Sequence, residues 1–404
     1  MKIMNPQNKI ILKTAIEKIK KLSQEYLDEI IQIRREIHQN PELSKEEFRT
    51  MELICRKLEE WKIPYQNKIA ETGVVALIEG EAGAGKTIAL RADMDALPLV
   101  EKNTFSFVSN KKGVMHACGH DMHTASLLGT AKILQALRSE LKGKVKLIFQ
   151  PSEEVLPGGA KPMIEAGVLQ NPDVEKILGQ HVFPDLEVGE VGVRKGAYMA
   201  SSDEIYLKVL GKGGHAALPD KFVNPLIISS KILIALQELG EKYSDKDNPA
   251  ILTFGRIVGD GQMNLVPDEV NISGILRTFD ENKRKELKAG IIQISKIIAQ
   301  EMQGECDVKF EESYPVLVNN GELTEVFVEV AKEYLGKDKV KELPLRATTE
   351  DFAHYSHEIP AVFYRFGVGT QAGSLHSSYF NPDEKSLETS VGLMAYLAWK
   401  ELVK

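Results

Sequence analysis

Between residues 74 and 182 short β-type runs alternate with helical stretches, and this alternation restricts the fold more than any other feature of the chain. Val74–Ile78, Thr87–Arg91, Val145–Phe149 and Ile177–Val182 read as strands, and Thr124–Leu137 as a helix. The order predicts an α/β domain with a mostly parallel central sheet flanked by helices, whose ligands bind beyond the carboxyl ends of the strands. A long amphipathic helix is expected over residues 10–39, where Leu12, Ile16, Ile19, Tyr26, Ile30, Ile33 and Ile37 recur at helical spacing. Asn40-Pro41 stops it, and its first turns are expected to extend beyond the main domain.

Near residue 197 the texture changes. Asp203–Leu210 alternates as a half-exposed strand, Asn224–Glu238 is helical, Ala250–Val258 and Val270–Phe279 are strands, and Asp280–Met302 is a long helix. With a fourth strand this is a ferredoxin-like α+β insert. The expected division is therefore 1–196 with 310–404 as one discontinuous domain, and 197–309 as the insert. The returning segment supplies the Leu323–Leu335 helix, the Ala361–Phe366 strand, a loop holding His376 and a last helix, Leu387–Val403.

The chemistry concentrates in His116-Ala-Cys-Gly-His-Asp-Met-His123. The chain has nine histidines and three cysteines, and a third of each falls in this window. Thiolate and imidazole are preferred ligands of zinc and related ions, so a metal site is expected. No second cysteine pair follows, which excludes a zinc-finger arrangement. Cys118 and His120 sit where a loop opens a helix, so both can face one ion. Glu153 and Glu154 follow the Val145–Phe149 strand, and as neighbours they point different ways: one can bind metal while the other holds water. Taken alone, the pair reads rather as an exposed acidic turn and His181 as a satisfied core or edge histidine, and His376 is uninformative. Gly80-Glu-Ala-Gly-Ala-Gly-Lys-Thr87 lacks the spacing of a phosphate loop and reads as a hairpin turn.

Composition narrows the function. A net charge of −7 argues against a nucleic-acid partner. No apolar run approaches the roughly 18 residues of a membrane span, and the first residues do not read as a signal peptide. Three scattered cysteines fit a reducing compartment, and a cytoplasmic location is expected.

Motifs in a fixed order then carry a resemblance. They are Arg34-Arg-Glu-Ile-His-Gln-Asn-Pro-Glu-Leu43, Leu90-Arg-Ala-Asp-Met-Asp-Ala-Leu-Pro98, the His116–His123 cluster and Phe149-Gln-Pro-Ser-Glu-Glu154. Gly179-Gln-His181, Gly211-Lys-Gly-Gly-His-Ala-Ala217, Asn264-Leu-Val-Pro-Asp268, Arg277-Thr-Phe279, Thr349-Glu-Asp-Phe352 and Leu375-His-Ser377 follow. Together they resemble the amidohydrolase branch of the M20 metallopeptidases, over nearly the whole chain. The resemblance implies a two-metal centre of Cys118, His120, Glu154, His181 and His376, with Cys118 bridging two divalent ions (zinc, manganese, cobalt or nickel). It implies Glu153 as general base and Asp95 as a carboxylate orienting a site histidine, with His116 and His123 structural. The insert resembles a lid and dimerisation domain. There His215 would bind the substrate carbonyl, and Asn264 and Arg277 would hold the substrate carboxylate. Gly259-Asp-Gly-Gln-Met263 departs from the family pattern beside them. The implied activity is hydrolysis of N-acyl amino acids by metal-activated water. The alternatives are a carboxypeptidase on short peptides and, in another class, an inactive acyl-amino-acid or metal-binding protein. The implied partner is a small substrate with a free carboxylate, and the implied assembly a homodimer or higher oligomer.

Overall fold

The computed structural model describes residues 6–403, with side chains described from residue 12 onward. The chain divides into two compact units: Met1–Gly196 with Val318–Pro344 and His354–Lys404, and Ala197–Leu317 with Leu345–Ala353.

The first unit is built on an eight-stranded sheet. Its strands lie in the order Tyr65–Ile69, Gly73–Glu79, Lys144–Gln150, Thr87–Asp93, Lys176–Phe183, Ala361–Gly367, Val191–Val193, Val340–Glu342. The middle four run parallel, and Val340–Glu342 runs parallel to Val191–Val193, while antiparallel pairs join the flanks to this centre, so the sheet is mixed around a parallel core. Tyr65–Ile69 pairs antiparallel with Gly73–Glu79, and only three residues join them, too few for the crossover a parallel pair needs. The Gly80–Thr87 segment is not a hairpin turn. The strands on either side of it both pair with Lys144–Gln150, which inserts between them. Its glycines are used at the backbone instead: Gly80 N–H donates to the Gly143 carbonyl at 2.8 Å and Gly143 N–H to Gly83 at 2.9 Å.

The helix His120–Ala136 is buried on almost every side, its polar residues included. The helices Pro6–Gln39 and Ser386–Leu402 cover it. Ala15, Ile19, Ile30, Ile33 and Ile37 of the first helix are buried in this core, each isoleucine contributing about 1.5–3 kcal/mol. From Leu12 onward that helix therefore packs on the main domain and is not an extension of it. Phe48–Glu60 forms a further helix whose buried face is Met51, Leu53, Ile54, Cys55 and Leu58.

The second unit carries a four-stranded antiparallel sheet in the order Ala250–Val258, Glu269–Thr278, Asp203–Leu210, Glu305–Glu312. With the helices Pro225–Tyr243 and Glu281–Glu301 this is the ferredoxin-like order. Asn224 and Asp280 cap the two helices, accepting from Leu226 N–H at 3.0 Å and Lys283 N–H at 2.8 Å. A buried Arg284–Asp203 pair, 2.7 and 2.9 Å, ties the second helix to the sheet. Among the described residues no helix is long and apolar enough to cross a membrane.

Candidate metal centre

Because the central strands are parallel, their carboxyl ends line up. Asp93 stands beside Gln150 in the ladder, and His181 lies near the end of the next strand. The turn after Gln150 brings in Glu153 and Glu154, and His120 opens the central helix. Gly119 lets that helix start close to the His181 strand. It takes φ 86°, and a Cβ there would come within 2.6 Å of Val182. His376 arrives from the far end of the chain, its N–H bonded to the Ala117 carbonyl at 2.9 Å.

Among the donor groups that result are two triads, Cys118–His120–His181 and Cys118–Glu154–His376, each with its ligand atoms within 4.8 Å of one another. Cys118 belongs to both. Its sulfur lies 3.4 Å from His181 Nε2 and 3.4 Å from His376 Nε2. Glu154 Oε1 lies 3.5 Å from His376 Nε2 and 3.8 Å from His120 Nε2. Ligand atoms about 2.0–2.3 Å from one ion are separated by about this much. Buried His120 Nε2 and Glu154 Oε1 have no hydrogen-bond partner, a cost that a cation would remove. Sulfur, imidazole and carboxylate donors around a shared thiolate therefore fit a pair of divalent ions.

The outer bonds set which nitrogen of each histidine faces inward. His120 Nδ1 donates to Asp95 Oδ1 at 3.2 Å, and His181 Nδ1 donates to the Val182 carbonyl at 2.8 Å. Asp95 Oδ2 also accepts from Glu154 N–H at 3.0 Å and from Ser44 Oγ at 2.6 Å, so one carboxylate ties a residue of each triad. His123 has no nitrogen to spare: Nδ1 bonds Asp93 at 2.6 Å and Nε2 accepts from Val182 N–H at 2.9 Å. Asp93 is held in turn by Arg91 at 2.6 Å, so this chain fixes the strand that carries His181. His116 is buried with both ring nitrogens unpartnered, and burial lowers its pKa to about 3, leaving it neutral.

The electrostatics suit a cation. Cys118, then Glu154, close to its ring raise His376 to about 10. Burial, then Glu154, pushes the Cys118 thiol up. Burial works against a charged His120, but Asp93, Cys118 and Asp95 outweigh it and hold the ring well above the usual histidine range. At neutral pH these donors carry protons that ligation must displace. Ion affinity is therefore expected to rise with pH between about 6 and 9, by about tenfold per unit for each proton displaced. Chelator-competition titrations at three pH values measure this, and a flat profile would show the donors already deprotonated.

The remaining predicted residues lie in the second unit. The short Gly214–His215 strand pairs with Leu265–Val266, and Ala216 N–H bonds the Asn264 carbonyl at 3.0 Å, so His215 and Asn264 are neighbours. Arg277 lies on another strand of that unit, opposite Ile251. It is half-buried, Nη1 has no hydrogen-bond partner, and no carboxylate pairs with it among the described residues. Burial lowers its pKa. Sequence reasoning missed Ser44, Glu47 and Gly119. Ser-Lys-Glu-Glu before a helix reads as exposed polar chain, and nothing local marks Glu47 as buried.

Residues 89–400 match the description Peptidase family M20/M25/M40. The chain belongs to this family. M20 members hydrolyse amide bonds, and the chain is a hydrolase of that kind. The N-acetyl-L-cysteine deacetylase of Bacillus subtilis is 40% identical over 359 residues, covering 89% of this chain and 85% of the relative. Thermostable carboxypeptidase 2 of Saccharolobus solfataricus is 38% identical over 392 residues, covering 95% and 98%. A solved Bacillus subtilis structure, described as a dinuclear metal binding peptidase from the M20 family, superposes with TM-score 0.82 at 34% identity, covering 94% of this chain and 99% of that one.

Proposed function

We propose that this M20 chain hydrolyses the amide bond of N-acyl amino acids, using two divalent ions and Glu153 as general base. The observation that carries the reading is Cys118, shared by two donor triads. The ions would polarise the scissile carbonyl and make water a competent nucleophile at neutral pH. Glu153, buried and with a carboxylate oxygen within 4.8 Å of donor atoms of His120 and Glu154, takes the proton from the attacking water. It then passes that proton to the departing amine nitrogen.

The second unit supplies the groups that recognise substrate in this reading. His215 Nδ1 accepts from Ala217 N–H at 3.1 Å, so Nε2 carries the ring proton and can donate to the developing oxyanion. Arg277 and Asn264 hold the free carboxylate, for which a planar guanidinium lacking an internal partner is suited. A homodimer through this unit belongs to the same reading. Leu226, Ile227 and Ile234 stand exposed along the Pro225–Tyr243 helix, as a self-associating face requires. Three unpaired cysteines fit a cytoplasmic setting.

Acetyl-, benzoyl- and longer-acyl amino acids, dipeptides and carboxyl-blocked versions, offered to protein reloaded with zinc, manganese, cobalt or nickel, test the proposal. Cleavage of N-acyl amino acids, lost when the carboxylate is blocked, is expected. Arg277→Ala should raise KM by about 30-fold, the equivalent of roughly 2 kcal/mol for a lost charge-assisted contact, and only for substrates with a free carboxylate. Preference for dipeptides would favour the carboxypeptidase reading, which the 38% identity to a carboxypeptidase also supports. No cleavage by protein holding both ions would overturn hydrolysis.

A further inference from the structure

Behind Glu153 and Glu154 lies a buried carboxylate that the proposed chemistry does not use. Glu47 is fully buried and ends the segment leading into the Phe48–Glu60 helix. Its Oε1 accepts from Ser152 N–H at 2.8 Å and from Ser152 Oγ at 3.3 Å, and its Oε2 accepts from Thr72 Oγ1 at 2.6 Å. Ser152 Oγ in turn accepts from Lys45 N–H at 2.9 Å. Three of these four bonds converge on Ser152, the residue just before the carboxylate pair, and the fourth anchors Glu47 itself.

Ser152 has φ 58°, in the left-handed region that a side chain makes unfavourable. Such a conformation persists only where its surroundings over-determine it, and it clusters at functional sites. Here two contacts hold the turn. Glu47 grips Ser152 at its N–H and hydroxyl. One residue earlier, Gly159 packs so closely that a Cβ would come within 1.8 Å of the Pro151 carbonyl. The sign of φ at Ser152 sets the direction in which the chain leaves it, and so the direction of the two carboxylates that follow. Ser44, three residues before Glu47, reaches the same turn through Asp95 and Glu154 N–H.

We propose that Glu47 is a positioning residue for the Glu153–Glu154 pair, holding Ser152 in its left-handed conformation so that one carboxylate faces the Cys118–His376 donors and the other the reacting water. The inference rests on the two-ion reading of the site. Without the Glu47 acceptor the Ser152 N–H is buried and unpaired, and the turn relaxes toward an ordinary backbone conformation. Glutamine retains the grip: its amide oxygen accepts from Ser152 N–H while its amide nitrogen donates to Thr72. Aspartate keeps the charge and withdraws the carboxylate by one methylene.

The test compares wild type with Glu47→Ala, Glu47→Gln and Glu47→Asp by two-site cobalt(II) titration, by the cobalt absorption bands, by thermal unfolding and by kcat and KM on the best acyl amino acid. In Glu47→Ala and Glu47→Asp one of the two cobalt ions should bind at least tenfold more weakly and its d–d bands should shift. The other ion should keep its affinity within about twofold. For the same variants kcat should fall at least tenfold with KM within threefold, and Glu47→Gln should restore both. Glu47→Asp decides the matter if Glu47→Ala fails to fold. Unchanged titration and kcat in Glu47→Asp would overturn the inference, as would a Glu47→Gln no better than Glu47→Asp. A wild type that takes up no second ion overturns the two-ion reading itself and this inference with it. A wild type with two ions beside unaffected variants overturns this inference alone.

Discussion

Glu153→Gln is expected to lower kcat by roughly 10²–10⁴-fold, the range for removing a general acid–base group, while the protein still takes up both ions. The substitution replaces one carboxylate oxygen with an amide nitrogen of nearly the same size, so packing around this buried position changes little. The glutamine cannot take a proton from water at neutral pH, nor hand one to the leaving amine. The ligand donors assigned above do not include Glu153, and for that reason metal content should hold. Metal analysis and steady-state rates on one preparation check both halves. Loss of an ion together with activity would make Glu153 a ligand; activity within tenfold of wild type would remove it from proton transfer.

Arg34→Ala is expected to cost about 3–5 kcal/mol of stability, because it leaves a buried carboxylate without its counter-ion. Arg34 and Asp121 are both fully buried, with Nε 2.7 Å from Oδ2. His38 adds a second contact to the same oxygen at 2.8 Å, and Glu101 holds the other face of that ring at 3.1 Å. Burial alone would raise the Asp121 pKa, but Arg34, then His38, pulls it far below the usual carboxylate range. A depressed carboxylate pKa contributes stability above the ordinary value of about 3.9 and loses it as pH falls through the folded value. The deficit of the variant should therefore be present in full at neutral pH. Denaturant unfolding of both proteins at pH 7 measures it, and a difference below about 1 kcal/mol would mean that the network relaxes around the loss. Asp121 follows His120 directly, so the same variant should also bind its ions more weakly.

These networks mark the boundary of what could be read in one dimension. Apolar periodicity located the strands from Val74 to Val182 and the Asp203–Leu210 and Ala250–Val258 strands within a residue or two of their ends, because it reports how each residue is buried. It missed Tyr65–Ile69, whose Tyr-Gln-Asn-Lys-Ile carries no alternation, since an edge strand with exposed faces needs none. The hairpin expected at Gly80–Thr87 failed for a related reason. Two strands close in sequence look like partners until a third, here Lys144–Gln150, takes the place between them.

The site divides in the same way. The unusual density of thiol and imidazole groups around residue 118 could be read from composition alone, and with it the expectation of a metal. Which atoms meet was decided by tertiary structure. His376 lies 258 positions from Cys118 yet 3.4 Å from its sulfur, brought there by a sheet whose carboxyl ends align. The burial of Glu47, the left-handed turn at Ser152 and the double duty of Asp95 belong to the same level. Residue type and local periodicity depend on neighbours in the chain, and those the sequence states directly. Ladder order and the pairing of buried polar groups depend on packing between segments far apart, where the cost of an unsatisfied partner selects one arrangement.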